Sequence, residues 1–331
     1  MSVFITGSTG FIGVHLVNRL AESGQTIHAL YRSEEKKKML KHPNIKLFNG
    51  DIMDINSLEK AMEGCKYVYH VAAFTKIWSK NENTVYELNV NGTKNVLDAA
   101  LKLGIKKVIF TSTAGIFGPS ITEKVDENSE RKIDYFLEYE KSKAKAEELI
   151  KSYSKNNMEI TIVNPTRVYG PGLLSKSNSV TIMMQAYTDG KWRFIPGDGT
   201  SIGNYVFIDD VVNGHILAME FGKNGEKYLL GGTDLNYIEL FSILRKITGK
   251  KYFMLKIPFV LISLMAEIML LFSKIFNIPP AMTPSLIKKF SYSWEVSSQK
   301  AINELGYSIT PFETGAIQTL QWFNKKNDYE K

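Results

Sequence analysis

The sequence predicts an α/β fold, a doubly wound parallel sheet followed by a smaller and mainly helical lobe. Three observations carry this. Short β-branched runs alternate with amphipathic stretches over the first half of the chain, a glycine-rich turn joins the first run to the first helix, and the alternation breaks down beyond Pro171. The 331 residues suit one large domain over about 1–170, to which a segment near 203–220 returns, and an interleaved lobe over 171–325.

Ser2-Val3-Phe4-Ile5-Thr6 reads as the first strand, Gly7-Ser8-Thr9-Gly10-Phe11-Ile12-Gly13 as a turn, and Val14 to Ser23 as a helix. Gly7 permits a tight turn, Gly10 lets the backbone approach a pyrophosphate, and Gly13 lets the helix pack closely on the strand. A diphosphate would then lie at the helix N-terminus, held by Gly7, Thr9, Gly10, Phe11 and Ile12. Gly24 stops the helix and Thr26 to Tyr31 forms the second strand. An acidic residue at its end would hold the ribose of NAD; Arg32 stands there instead and suits a 2′-phosphate, so NADP is preferred to NAD.

Ile45 to Phe48 is a third strand, after which Asp51 and Ile52 pass over the adenine. Val68 to Ala73 is a fourth, with Ala72 and Ala73 leaving space for the cofactor and His70 placed as a hydrogen-bonded core histidine. A helix over Asn83 to Leu103 and a strand over Lys107 to Thr111 complete the alternation. Thr111-Ser112-Thr113 lies at the carboxyl end of that strand, where ligands of such sheets bind. Tyr139 and Lys143 stand four apart at the start of the next helix, on one face. An ammonium beside a phenol favours the phenolate, so Tyr139 could exchange a proton with a substrate oxygen while the Thr113 hydroxyl polarises it and Lys143 holds the nicotinamide ribose.

These segments resemble the extended short-chain dehydrogenase/reductases, the NAD-dependent epimerase/dehydratase superfamily. The resemblance rests on Thr6 to Gly13, Thr111 to Gly115, Tyr139-x-x-x-Lys143, and Asn164 to Gly172. Ala72 to Trp78, Tyr86 to Thr93, and Gly225 to Gly232 are similar to the dihydroflavonol-4-reductase-like and 3β-hydroxysteroid-dehydrogenase-like branch, which includes hopanoid-associated bacterial members. The resemblance implies a Rossmann domain carrying NAD(P), a C-terminal substrate lobe, a catalytic set of Thr113, Tyr139 and Lys143, and Pro165 and Val168 beside the nicotinamide. Two departures matter. Threonine replaces the more common serine at 113, and Gly203 stands where nucleotide-sugar enzymes of the superfamily place an arginine on the substrate diphosphate.

Composition adds exclusions. The net charge of +7 is carried by scattered lysines without a basic and aromatic platform, which argues against nucleic acid. A single cysteine, Cys65, rules out an internal disulfide, and the histidines have no ligand spacing, so no metal is expected. Phe259 to Phe272 is the most apolar stretch; Glu267 near its middle argues for a lobe helix, buried or lining a pocket, over a spanning one. Trp294 and Ala301 to Trp322 read as further lobe helix, and residues from Asn324 as a frayed end.

The expected protein is a cytoplasmic oxidoreductase, monomer or homodimer, that moves hydride between nicotinamide and the carbonyl or secondary alcohol of a hydrophobic small molecule, with peripheral membrane contact left open. An NAD-dependent nucleotide-sugar epimerase or dehydratase and a non-catalytic NAD(P)-sensing regulator are the rivals.

Overall fold

The computed structural model describes residues 2–76, 78–79, 83–153, 158–175, 178–276 and 278–329; Ile77, within the Ala72 to Trp78 run, lies outside them. The chain opens with β1 (Ser2–Thr6), whose Val3, Phe4 and Ile5 are buried, and α1 (Phe11–Glu22), which buries Leu16, Val17 and Leu20 at helical spacing. This helix begins three residues before the expected Val14 because Gly10 is its N-cap. Its first turn is therefore Phe11-Ile12-Gly13, and the N–H groups left without helical partners face the end of β1.

Next come β2 (Thr26–Tyr31), β3 (Ile45–Asn49), and α2 (Ile55–Met62), capped by the Asp54 carboxylate. β4 (Tyr67–His70) is shorter than the expected Val68 to Ala73. Its partner β1 ends where Thr6 pairs His70, so the chain beyond has no ladder to join. The helix expected from Asn83 is α3 (Asn83–Tyr86), a π-helical turn at Glu87–Asn91, and α4 (Gly92–Lys102). β5 (Lys107–Thr111), α5 (Glu138–Tyr153) and β6 (Glu159–Pro165) follow.

Beyond them lie β7 (Arg167–Tyr169), α6 (Ser179–Thr188), β8 (Phe194–Pro196), β9 (Ile202–Phe207), α7 (Ile208–Phe221), β10 (Lys227–Leu230), β11 (Thr233–Asn236) and α8 (Tyr237–Thr248). The chain ends with β12 (Leu255–Ile257), α9 (Phe259–Phe276), α10 (Pro284–Phe290), α11 (Gln299–Leu305) and α12 (Phe312–Tyr329).

The seven-stranded sheet is parallel in the order β10-β6-β5-β4-β1-β2-β3. The chain winds outward from β1 to β3, then crosses to β4 on the other side of β1. The crevice of a doubly wound sheet opens at that reversal. A three-stranded sheet, β11-β9-β7, and a two-stranded one, β12-β8, lie beyond. Between them the chain returns to the large sheet: α7 packs on α1, β5 and β6, and β10 is its edge strand beside β6.

His70 is fully buried, its ring nitrogens 2.7 Å from Thr6 Oγ1 and 2.9 Å from Thr93 Oγ1. Burial, with the neighbouring Lys143 charge, pushes it from 6.5 to about 3, and burial takes His215 to about 4. The unfolded chain takes up protons on both rings below pH 6.5 while the folded chain resists, so their stabilising contribution is complete above 6.5 and is lost as pH falls toward 3–4. Thermal melts of His70→Asn should show lower stability at neutral pH, from the lost bonds, and a shallower decline over that acid window. An unchanged slope would refute this linkage. Cys65 is buried among core residues, which pushes its thiol up to about 12 and leaves it unreactive.

Three expectations for the lobe change. α9 is not a buried helix: only Ile262, Ala266 and Ser273 are buried, on a narrow face against Ile287 of α10, while Val260 is 78% exposed and Ile275 65%. A flank of it does line a cavity of about 580 Å³ between α9 and α10. Trp294 lies outside any helix, its indole N–H donating to the Lys289 carbonyl at 2.9 Å. The C-terminal helix continues to Tyr329 instead of fraying at Asn324.

Candidate active site

Because the sheet is parallel, the segments after β1, β3, β4, β5 and β6 all emerge at one edge. After β1, Gly7 has φ +67, and a Cβ on it would lie 2.6 Å from the Ala72 backbone nitrogen. A Cβ on Gly13 would lie 2.0 Å from the Gly7 carbonyl oxygen. Side chains at either position are thus excluded, and the backbone itself forms the wall of the crevice. Gly10 is exposed and Thr9 partly exposed at the N-terminus of α1, while the Ser8 hydroxyl turns inward and donates to the Leu30 carbonyl at 2.5 Å. This cradle fits a diphosphate, which needs bare backbone and N–H groups. Ala72 and Ala73 border it, partly exposed, and the Ala72 N–H donates to Thr6 Oγ1 at 3.2 Å.

At the far end of the crevice, Arg32 and Asp51 face each other, Nη1 to Oδ2 at 3.1 Å, with side chains 66% and 37% exposed. Ile52 lies next to them but is a core residue, filling the space over Gly92.

Thr113 caps a short 3₁₀ turn over Ala114–Ile116, its Oγ1 accepting from Gly115 N at 3.2 Å. Asn164 Nδ2 holds the Thr113 carbonyl at 3.3 Å and the Glu147 carboxylate at 2.8 Å, which ties this turn to α5. The Thr111 hydroxyl is buried and lies 2.8 Å from His215 Nε2 on α7. The Ser112 hydroxyl is buried with no hydrogen-bond partner among the described residues, as expected of a group at a ligand-binding edge. Pro165 is buried at the end of β6 and Val168 is partly exposed in β7.

Tyr139 is partly exposed and Lys143 is 1% exposed, one turn below it on α5. The expected lowering of the phenol is not found. Burial and the adjacent Glu140 carboxylate both raise Tyr139 above its usual range, whereas the Lys143 ammonium sits 4.0 Å from the centre of the Phe110 ring. Burial pushes Lys143 down to about 7, with Glu147 opposing it.

Three residues emerge here that the sequence did not single out. Asn89, in the π-helical turn, accepts from Phe74 N at 2.7 Å and donates to the Phe74 carbonyl at 3.2 Å and to Ser142 Oγ at 2.9 Å. It fixes the loop after β4 against α5; it stood inside the Tyr86 to Thr93 run already noted. Glu140 is fully buried and joins Arg131 Nη2 at 3.3 Å and Lys289 Nζ at 2.7 Å, latching α10 beside Tyr139. The third is Arg167. Its guanidinium lies over Gly203, where a Cβ would come 2.6 Å from Nη1. An arginine from the neighbouring strand thus brings a guanidinium beside Gly203.

Among known proteins, residues 3–231 match the model of the NAD dependent epimerase/dehydratase family. The chain is 27% identical over 330 residues to a putative dihydroflavonol 4-reductase of Synechocystis, covering 97% of this chain and 94% of that one. It is 27% identical over 337 residues to the mouse sterol-4-alpha-carboxylate 3-dehydrogenase, decarboxylating, with 97% and 90% covered. Among solved structures, a UDP-glucose 4-epimerase with UDP-glucose from Thermotoga maritima superposes with a TM-score of 0.82 at 25% identity, covering 99% of this chain and 100% of that one.

Proposed function

The chain belongs to the NAD dependent epimerase/dehydratase family and is an oxidoreductase of hydroxyl and keto groups; we propose that Tyr139, Thr113 and Lys143 carry its chemistry on an apolar, sterol-like alcohol or ketone, with NADP preferred. The observation that carries this reading is the convergence at one sheet edge of the Gly7–Gly13 cradle with the Thr113 turn and the Tyr139 end of α5. The nicotinamide dinucleotide, when bound, supplies or accepts hydride. Tyr139 holds the proton: its raised phenol stays protonated at neutral pH, which suits donation to a carbonyl oxygen in reduction. Thr113 positions that oxygen with its hydroxyl. Lys143 supplies charge beneath them, its ammonium pushed down by burial and supported by Glu147.

At the other end of the crevice, Arg32 receives the 2′-phosphate. Its present partner is no obstacle, because an exposed ion pair such as Arg32–Asp51 contributes only about 0–1 kcal/mol and a phosphate dianion competes well. Fluorescence titration should find NADPH bound more tightly than NADH, with Arg32→Ala closing the gap by about tenfold. NADH bound equally well would remove the NADP preference. NAD carried through purification would favour the epimerase, whose cofactor is recycled within one turnover.

We further propose a cytoplasmic enzyme that works at a membrane surface. Among the described residues one helix, α9, is long and apolar enough to cross a bilayer. Its packing on α10 and the central Glu267 suit a helix lying in the interface, from which an apolar substrate would be drawn.

A further inference from the structure

Arg167 has no carboxylate partner among the described residues. Its guanidinium donates to the Tyr205 hydroxyl at 3.4 Å, lies near Tyr237, and sits 5.6 Å from the Tyr205 ring centre and 5.1 Å from that of Phe290. The nearby anion is already committed: Glu140 is shared by Arg131 and Lys289, and Lys289 in turn feels the Arg167 charge. Two cations therefore share that carboxylate, and Arg167, a planar fork held between aromatic faces, is left without one. Partly buried charge of this kind is costly without a counter-ion. The fold also makes room for it, since Gly203 leaves open the space its fork occupies. Arg167 follows Pro165 and Thr166 at the sheet edge and faces α10, so it stands where the large sheet meets the lobe.

We propose that Arg167 is an anion subsite and that the substrate of the oxidoreductase described above is an acid whose carboxylate this guanidinium receives. A guanidinium edge matches a carboxylate in two parallel hydrogen bonds, which Tyr205 and Tyr237 orient without neutralising. The assignment rests on the oxidoreductase reading for the word substrate, but not for the binding itself.

The test is equilibrium binding to the NADP-loaded protein by saturation-transfer NMR, with turnover followed separately. The probes are 2-hydroxycyclohexanecarboxylate and 3-oxocholanoate, each beside its methyl ester, together with UDP-glucose. At least one acid should bind about tenfold or more tightly than its ester. Arg167→Met should erase the difference and Arg167→Lys should restore part of it. Gly203→Ala provides a second route, because its Cβ would come 2.6 Å from Arg167 Nη1 and 2.7 Å from the Tyr205 hydroxyl that orients it; a thermal melt accompanies this variant, since the buried Tyr205 must shift as well. Acid and ester bound alike, no acid bound at all, or an acid preference that survives both Arg167→Met and Gly203→Ala would overturn the proposal. Arg167-dependent binding of UDP-glucose alone would overturn it in favour of a diphosphate. Arg167-dependent acid binding without any hydride transfer would uphold the subsite and count against the oxidoreductase reading instead.

Discussion

Tyr139→Phe should lose turnover by about 10²–10⁴-fold while binding cofactor as the wild type does. The ring that fills the end of α5 is kept and only the hydroxyl is removed, so the crevice walls at Gly7 and Ala72 are undisturbed. The size of the loss follows from what the phenol does. Burial and Glu140 keep its proton on at neutral pH, and a phenol is a far stronger acid than the Thr113 hydroxyl, the other partly exposed group proposed at this edge. Single-turnover absorbance of the nicotinamide checks the chemistry, and fluorescence titration checks binding. A variant that turns over normally would remove Tyr139 from the mechanism. One that also kept its full biological effect would point to a cofactor-sensing regulator.

The second large effect is expected at the membrane. Wild-type protein should sediment with vesicles rich in phosphatidylglycerol, and the triple variant Leu264→Glu, Leu271→Glu, Ile275→Glu should stay in the supernatant. These side chains are 54%, 60% and 65% exposed, on the outer face of α9. Each is worth about 1.5–3 kcal/mol when buried, so three together supply roughly 5 kcal/mol, more than a thousandfold in partition. The exposed Lys274 in the last turn of α9 and Lys288 at its cavity with α10 suit anionic headgroups. Binding should therefore weaken with salt and with neutral lipid. Wild-type protein left in the supernatant would refute membrane contact; a dimer lost in the triple variant would show that a second copy covers this face.

The sheet was legible because each strand is short, β-branched and bounded by glycine or polar turns, and because the Gly7 to Gly13 spacing allows few other readings. Boundaries were less so. α1 starts at Phe11 because its cap is a glycine already assigned to the turn, and β4 stops at His70 because of where β1 ends. Tyr139 and Lys143 were visible as a pair on one helix face, but their charge state was not, since it depends on burial, on Phe110 from another strand, and on Glu140. Arg167 was hidden for a similar reason. Periodicity tells which strand a residue belongs to, not which empty space on the next strand its side chain enters. The apolar stretch at α9 was read correctly as helix, yet whether such a helix is covered depends on neighbours far along the chain.

The late return of the chain to the large sheet has a consequence for assembly. β6 is complete by Pro165, but its outer neighbour β10 arrives only at Lys227, after three strands of the smaller sheets have been laid down. A fragment ending near residue 170 would present a bare parallel edge and lack α7, which covers β5 and β6. The two halves thus cannot be exchanged between relatives as modules by one cut. Any graft of a new substrate lobe has to keep Ile208 to Leu230 with the original sheet, and so needs three junctions. The same threading makes the halves cooperative, because loosening the lobe strands pulls on the strand that closes the cofactor-binding sheet.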